Sequence, residues 1–253
     1  MTLSQINRIR LDKAAIDEGF GIKLGEHQGW LAYDGLGTPA SLRLACSDNG
    51  YVVATNHSGV VVDIMGRWTK WDGIVPSGFS AFVVADTEPL HYLVREIWRL
   101  ARALPIEPLR EFESRTQALP RSTEVERLVV QRVGQDIFRE ALMTYWNGHC
   151  AVTGLSEPRL LRASHIIPWA VCETDAERLD AYNGLLLAAH LDAAFDAGLI
   201  SFDDSGSILI SSQLSAQDQI ALGLHNKMAL RRITKEHAYR LTWHRDHLFQ
   251  KPV

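Results

Sequence analysis

The sequence predicts an α+β fold in two parts: a small N-terminal antiparallel-sheet domain with helices over residues 1–110, and a C-terminal domain of helices and short strands over 111–253. Three observations carry this. The chain of 253 residues exceeds the usual domain size of about 100 to 150, and its 46% hydrophobic content can fill more than one core. Short alternating segments broken by Asn/Gly turns dominate between residues 41 and 64. From residue 89 onward the apolar spacing lengthens to a helical one, interrupted by a polar stretch bounded by prolines.

Residues 4–19 predict a short amphipathic helix, with Ile6, Ile9, Leu11 and Ile16 near helical spacing. Gly19, Gly21 and Gly25 then loosen the chain. Ser41–Cys46, Tyr51–Thr55 and Gly59–Ile64 alternate and are separated by Asp48-Asn49-Gly50 and Asn56-His57-Ser58, which reads as antiparallel hairpins. Trp30, Tyr33, Trp68 and Trp71 lie in or beside them. Aromatic rings in a small sheet are usually core, and the alternative is a surface on which an extruded base stacks. A strand at 80–85 leads into a helix at 89–104, with Leu93, Ile97, Leu100 and Leu104 in phase and Pro105 and Pro108 closing it. Residues 109–121 read as a linker.

The next helix has a stronger start signal. Thr123 and Glu126 form a capping-box pattern, in which the hydroxyl accepts from the Glu126 amide and the carboxylate returns to the cap. Val125, Val129, Val133, Ile137, Ala141 and Tyr145 follow at intervals of four, and Asn147-Gly148 ends the helix. Cys150–Thr153 and Leu160–Ile166 are expected as strands, 191–197 as a helix, 199–202 and 207–211 as a hairpin about Asp203-Asp204-Ser205-Gly206. A helix at 216–222, a strand at 229–233 and a helix at 235–249 complete the reading.

Composition bounds the function class. No run of 18 apolar residues exists, and the first twenty residues are too polar for a signal-peptide core, so no membrane span and a cytoplasmic location are expected. Cys46, Cys150 and Cys172 are odd in number and widely spaced, which suggests neither a disulfide framework nor a CxxC metal clip. A net charge of -4 argues against indiscriminate binding to nucleic acid. A local patch is still allowed: between Lys70 and Lys227 every positive side chain is Arg, including Arg159 and Arg162, and Arg grips phosphate in bidentate fashion. Solvated helix faces account equally well for any one of these arginines.

Imidazole, amide and carboxylate groups concentrate between Cys150 and Phe202, in ASHIIPW at 163–169, NGLLL at 183–187 and LDAAFDAGLISF at 191–202. These motifs, in this order, resemble the HNH endonucleases, in particular a bacterial group with the pattern ASHI.PW, NGLLL, LDA.FD.GLISF. The resemblance extends from about Thr123 through WHRDHLF near residue 249, whereas residues 1 to about 110 resemble nothing familiar.

The resemblance implies a ββα unit that holds one divalent ion against a scissile DNA phosphate, with the two strands expected at 150–153 and 160–166. It makes His165, at the end of the second strand, the general base, and gives Asn183 the role of shaping the loop and holding the base or metal shell. An Asn-Gly pair is equally a turn signal. Asp192 and Asp196, four residues apart, share a helical face and are the expected metal ligands, with His190 the alternative to Asp192. Carboxylates favour Mg²⁺ or Mn²⁺ over Zn²⁺. Ser164 stands where many HNH enzymes have an acidic residue or His as first ligand, so either Ser164 is a weak or water-mediated ligand or His165 itself touches the metal in place of acting as base. Arg159, Arg162, Trp30 and Tyr33 are the expected DNA contacts. The expected function is a metal-dependent restriction or phage-defence endonuclease whose N-terminal domain selects the target. Its rivals are a non-catalytic DNA-binding or interaction module and a nuclease toxin or mobile-element enzyme. The recognition site, and whether the protein is a homodimer, the sequence leaves open.

Overall fold

The computed structural model describes residues 3–120 and 122–250. The chain divides into two compact units, residues 1–102 and 103–253.

The first unit begins with α1 (Gln5–Asp17), whose N-cap Ser4 accepts from the Asn7 amide at 3.2 Å. Strands β1 (Ile22–His27), β2 (Trp30–Asp34), β3 (Ser41–Ser47) and β4 (Gly50–Thr55) form a meander. The turn between β1 and β2 has positive φ at both Gln28 and Gly29, 53° and 80°, as a two-residue hairpin of matching twist requires. Then come α2 (Ser58–Ile64), the short β5 (Thr69–Lys70), β6 (Ser80–Val84) and α3 (Thr87–Ala103). All six strands pair antiparallel in the order β1-β2-β3-β4-β6-β5.

One face of this sheet carries Leu31, Tyr33, Leu42, Leu44, Val53 and Phe82, all essentially without exposed surface. Burying such side chains contributes about 1.5–3 kcal/mol apiece, and this face is the core of the unit. The expected strand at Gly59–Ile64 is instead the helix α2. His57 caps it by accepting the Val60 amide at 3.3 Å on Nδ1, and Val60 and Ile64, one turn apart, are fully buried.

In the second unit α4 (Ile106–Thr116) occupies most of the expected linker. Pro108, Phe112 and Thr116 recur every four residues and are buried, so one narrow stripe holds an otherwise charged helix in place. The helix α5 (Glu124–Tyr145) starts at the capping box expected from Thr123 and Glu126. Its buried stripe is Val130, Gly134, Ile137, Phe138, Ala141, Leu142 and Tyr145; Val125, Leu128 and Val129 in the first turns are exposed.

Strand β7 (Leu161–His165), the one-turn α6 (Asp175–Arg178), strand β8 (Gly184–Ala188) and α7 (Ala189–Asp196) follow. The two strands pair antiparallel with His165 opposite Gly184. The ββα unit is therefore β7-β8-α7, and His165 ends its first strand. Cys150–Thr153, expected as a strand, is a turn: the buried Cys150 sulfur accepts the amides of Ala188 and Thr153 at 3.3 and 3.4 Å.

Gly198 at φ 69° ends α7 in a Schellman closure, with its own amide on Phe195 O and that of Leu199 on Ala194 O. The hairpin β9 (Ile200–Phe202) with β10 (Ile208–Ile210), α8 (Ala216–Ala221) and α9 (Lys235–His247) complete the unit. The expected strand at 229–233 is reduced to one bridge between Ser207 and Ala229. No helix among the described residues is long and apolar enough to cross a membrane.

His237 and His244 of α9 have no exposed surface. His244 stacks on Phe195 with ring centres 3.9 Å apart, and its two nitrogens meet Phe195 O and Ser201 Oγ. Desolvation holds His237 to about 3 and His244 to about 4, with nearby arginines pushing the same way. An imidazole whose folded pKa lies below its unfolded value of about 6.5 leaves the unfolded state binding more protons in between. Stability should therefore be full above pH 6.5 and fall as the pH drops toward 4, by about 1.4 kcal/mol per pH unit for each buried imidazole. Urea midpoints at pH 7 and pH 5 check this, and equal midpoints would contradict it.

Candidate active site

His165 sits at the end of β7, where strand alternation turns its ring toward α5. The ring lies face to face with Phe138, centroids 3.8 Å apart, and Trp169 meets it edge-on at 5.7 Å. Its Nε2 bonds to the Arg178 carbonyl at 2.9 Å. A carbonyl only accepts, so Nε2 carries the proton and Nδ1 is left as the acceptor. Burial lowers the imidazole pKa to about 4, partly opposed by that carbonyl. The ring is thus neutral at physiological pH, fixed in one tautomer, with a lone pair to offer.

Three residues that sequence reasoning did not single out create this arrangement. Phe138 and Trp169 wall the ring, and Arg178 orients it through its backbone. Gly134 lies in mid-helix, where glycine costs about 1 kcal/mol, because a Cβ there would stand 2.5 Å from the Trp169 ring. A glycine inside a helical pattern was the available signal. Arg178 is itself held by Asp175 at 3.1 Å and by the carbonyls of Trp169 and Cys172.

Asn183 closes the 3₁₀ turn Ala181–Asn183 just before β8 and is buried. Its amide oxygen accepts from Ile167 N at 2.8 Å, while Nδ2 donates to Ile167 O at 3.1 Å and Glu177 O at 3.3 Å, with Cys172 Sγ at 3.4 Å. One side chain thereby ties both ends of the 167–177 loop, and that loop delivers the Arg178 carbonyl to His165.

Ser164 precedes His165 and so faces the other side of the ribbon, toward α7. Its hydroxyl donates to Asp196 Oδ1 at 3.4 Å and acts against a rise in the pKa of both Asp192 and Asp196. Both carboxyls titrate above the ordinary carboxylate range: desolvation raises Asp192, and desolvation plus the charge of Asp192 raises Asp196. Arg162, on the Ser164 side of β7 and exposed, acts against this at Asp192. His190, also exposed, lies two residues before Asp192, about 200° round the helix, and is not brought to the pair.

Among the described residues no three His, Cys, Asp or Glu side chains form a metal-binding group. The donor set is two carboxylates and a hydroxyl, all hard oxygens. It fits a divalent cation of the Mg²⁺ type, which keeps several waters and uses one or two carboxylates, and whose charge would relieve the repulsion between Asp192 and Asp196.

Of the other expected contacts, Arg159 is exposed and paired with Glu157 at 2.7 Å. Trp30 and Tyr33 belong to the first unit, and they separate there. Tyr33 is fully buried on the helix-covered face with its hydroxyl on Asp12, so it is core and offers no ring face to a base. Trp30 lies on the opposite face.

Residues 150–203, which contain β7, β8 and α7 with His165, Asn183, Asp192 and Asp196, match the model of an HNH endonuclease family. The chain carries an HNH endonuclease domain. Such a domain indicates a DNA-cleaving hydrolase, and HNH nucleases typically use a divalent metal. No curated protein matches the chain.

Proposed function

We propose that the protein is a metal-dependent HNH endonuclease of the restriction or phage-defence type, in which residues 111–253 cut DNA and residues 1–110 select the target. The observation that carries the chemistry is the neutral, tautomer-fixed His165 next in the chain to Ser164, which reaches the Asp192–Asp196 pair. His165 Nδ1 takes the proton of the attacking water. Asp192 and Asp196 hold the cation, with Ser164 as their partner, and Arg162 lies beside them for a phosphate oxygen. A divalent ion bound there neutralises the phosphate and eases departure of the leaving oxygen. Asn183 acts through the loop it ties.

The division of labour rests on charge and on the kind of contact a nuclease centre makes. With a net charge of -4, general attraction to DNA is weak, and contacts to one phosphate position the protein without reading sequence. Selection then falls to the unit that lacks the cutting residues. Incubating the protein with modified and unmodified DNA, with and without Mg²⁺ or Mn²⁺, tests the reading. Cleavage is expected only with metal and unequally between the two DNAs. Absence of cleavage under every condition would leave a non-catalytic DNA-binding module.

A further inference from the structure

The six-stranded sheet has a second face, opposite its main core. Strand alternation places Trp30, Ala45, Val52, Ala54 and Ala81 there, and Trp71, Val75 and Phe79 of the 71–79 loop pack against it. Between sheet and loop lies a cavity of about 420 Å³ lined by Gln28, Trp30, Ala45, Val52, Trp71 and Ile74, among others.

Its construction is selective for flat ligands. Ala45 and Val52 pair across β3 and β4, so small side chains line the sheet side while two indoles stand as walls. Gly73 lets its own loop close on Trp71, since a Cβ there would lie 2.4 Å from the indole. The tight Gln28-Gly29 turn sets one amide side chain against an otherwise apolar lining. Arg43 shares the strand face of Ala45, its guanidinium 4.7 Å over the Phe79 ring, and exposed His27 lies opposite Trp30 on β1. Asp72 is the acid on the loop. Ile74 is 94% exposed, an apolar side chain left in water at a cavity lip. Indole walls, one amide and a flanking guanidinium match a planar aromatic ring with a polar edge and an attached anion. The macromolecule this enzyme acts on is built of such units.

We propose that the cavity receives one nucleobase of the DNA, unstacked from its neighbours and laid against Trp30 and Trp71, with Gln28 on its polar edge and Arg43 on the adjoining phosphate. The proposal rests on the reading that residues 1–110 select the target.

The test uses full-length His165→Ala protein without added metal, so that cleavage does not consume the ligand, and two single strands of about 12 nucleotides, one of mixed sequence and one abasic with the same phosphates. The base-bearing strand should bind roughly 5- to 150-fold more tightly, the advantage expected of one base stacked on an aromatic ring. Trp71→Ala, on the half-buried loop, and Ala45→Leu, which fills the cavity, should each erase that advantage and leave the abasic strand unaffected. Arg43→Ala should weaken both strands. Equal affinity for the two strands, or an advantage that survives both cavity variants, overturns the proposal. If Arg43→Ala alone has its effect, the N-terminal unit still contacts DNA and only the cavity reading falls. If none of the three changes moves either affinity, the target-selecting role falls with it.

Discussion

Replacing His165 with alanine is expected to lower DNA cleavage by roughly 10²- to 10⁴-fold while leaving DNA affinity within about twofold. The size follows from what the ring supplies. General-base catalysis acts in the transition state, so its loss appears in turnover rather than in ground-state binding. The imidazole donates through Nε2 to the Arg178 carbonyl and stacks on Phe138, both contacts being within the protein. Single-turnover cleavage with saturating enzyme, beside an equilibrium binding measurement, separates the two quantities. A variant that cuts at near-normal rate would remove the base assignment, and one that cuts slowly only because it no longer binds would move His165 to a binding role. Folding is a fair control here. A melting curve of the variant belongs beside the kinetics, because alanine leaves a gap against Phe138 and deprives the Arg178 carbonyl of its donor.

The motif residues of the nuclease unit were legible because their chemistry is written in short range. ASHI, NGLLL and the two aspartates four apart placed His165, Asn183, Asp192 and Asp196 on one ββα unit, and the structure has them on β7, the turn before β8, and α7, with His165 ending the first strand of the unit where the sequence had put it on the second. What the sequence could not display is the partner across the fold. Phe138 and Gly134 lie some thirty residues before His165 and read as an ordinary helix stripe. Arg178 acts through a carbonyl, which every residue has, so no side chain announces it.

Two of the misread elements carry patterns too short or too sparse to fix their type. Gly59–Ile64 is a short β-branched run, equally compatible with either period, and the His57 cap and the burial of Val60 and Ile64 decide for helix. Residues 106–116 present one aromatic and one proline on a stripe among charges, too sparse to separate from a linker until Phe112 is seen buried. For Trp30 and Tyr33 strand parity decided the outcome. Residues 30 and 33 are three apart on one strand, so they face opposite sides, and a single sheet face could not have used both.

The metal assignment makes the second large prediction, and it is testable without any cleavage. Asp192→Asn should weaken Mn²⁺ binding at least about tenfold, because loss even of an outer-shell partner costs about 10- to 100-fold in metal affinity. Without metal the same change should leave the melting temperature equal or higher. Each carboxyl is raised by desolvation, and Asp196 further by the negative charge of Asp192, so neutralising one removes a repulsion that the metal-free fold endures. With metal the order should reverse, since a ligand that binds only the folded state stabilises it in proportion to its affinity. Melting curves with and without Mn²⁺, for the unaltered protein, Asp192→Asn and His190→Ala, should therefore place Asp192→Asn level with or above the unaltered protein without metal and below it with metal, a pattern that a purely structural aspartate would not produce. His190→Ala should follow the unaltered protein in both, because His190 lies about 200° round α7 from Asp192, away from Ser164. Should Asp192→Asn keep its full Mn²⁺ response while His190→Ala loses it, the ligand is the imidazole, and α7 must turn or unwind at its first turn when the ion binds.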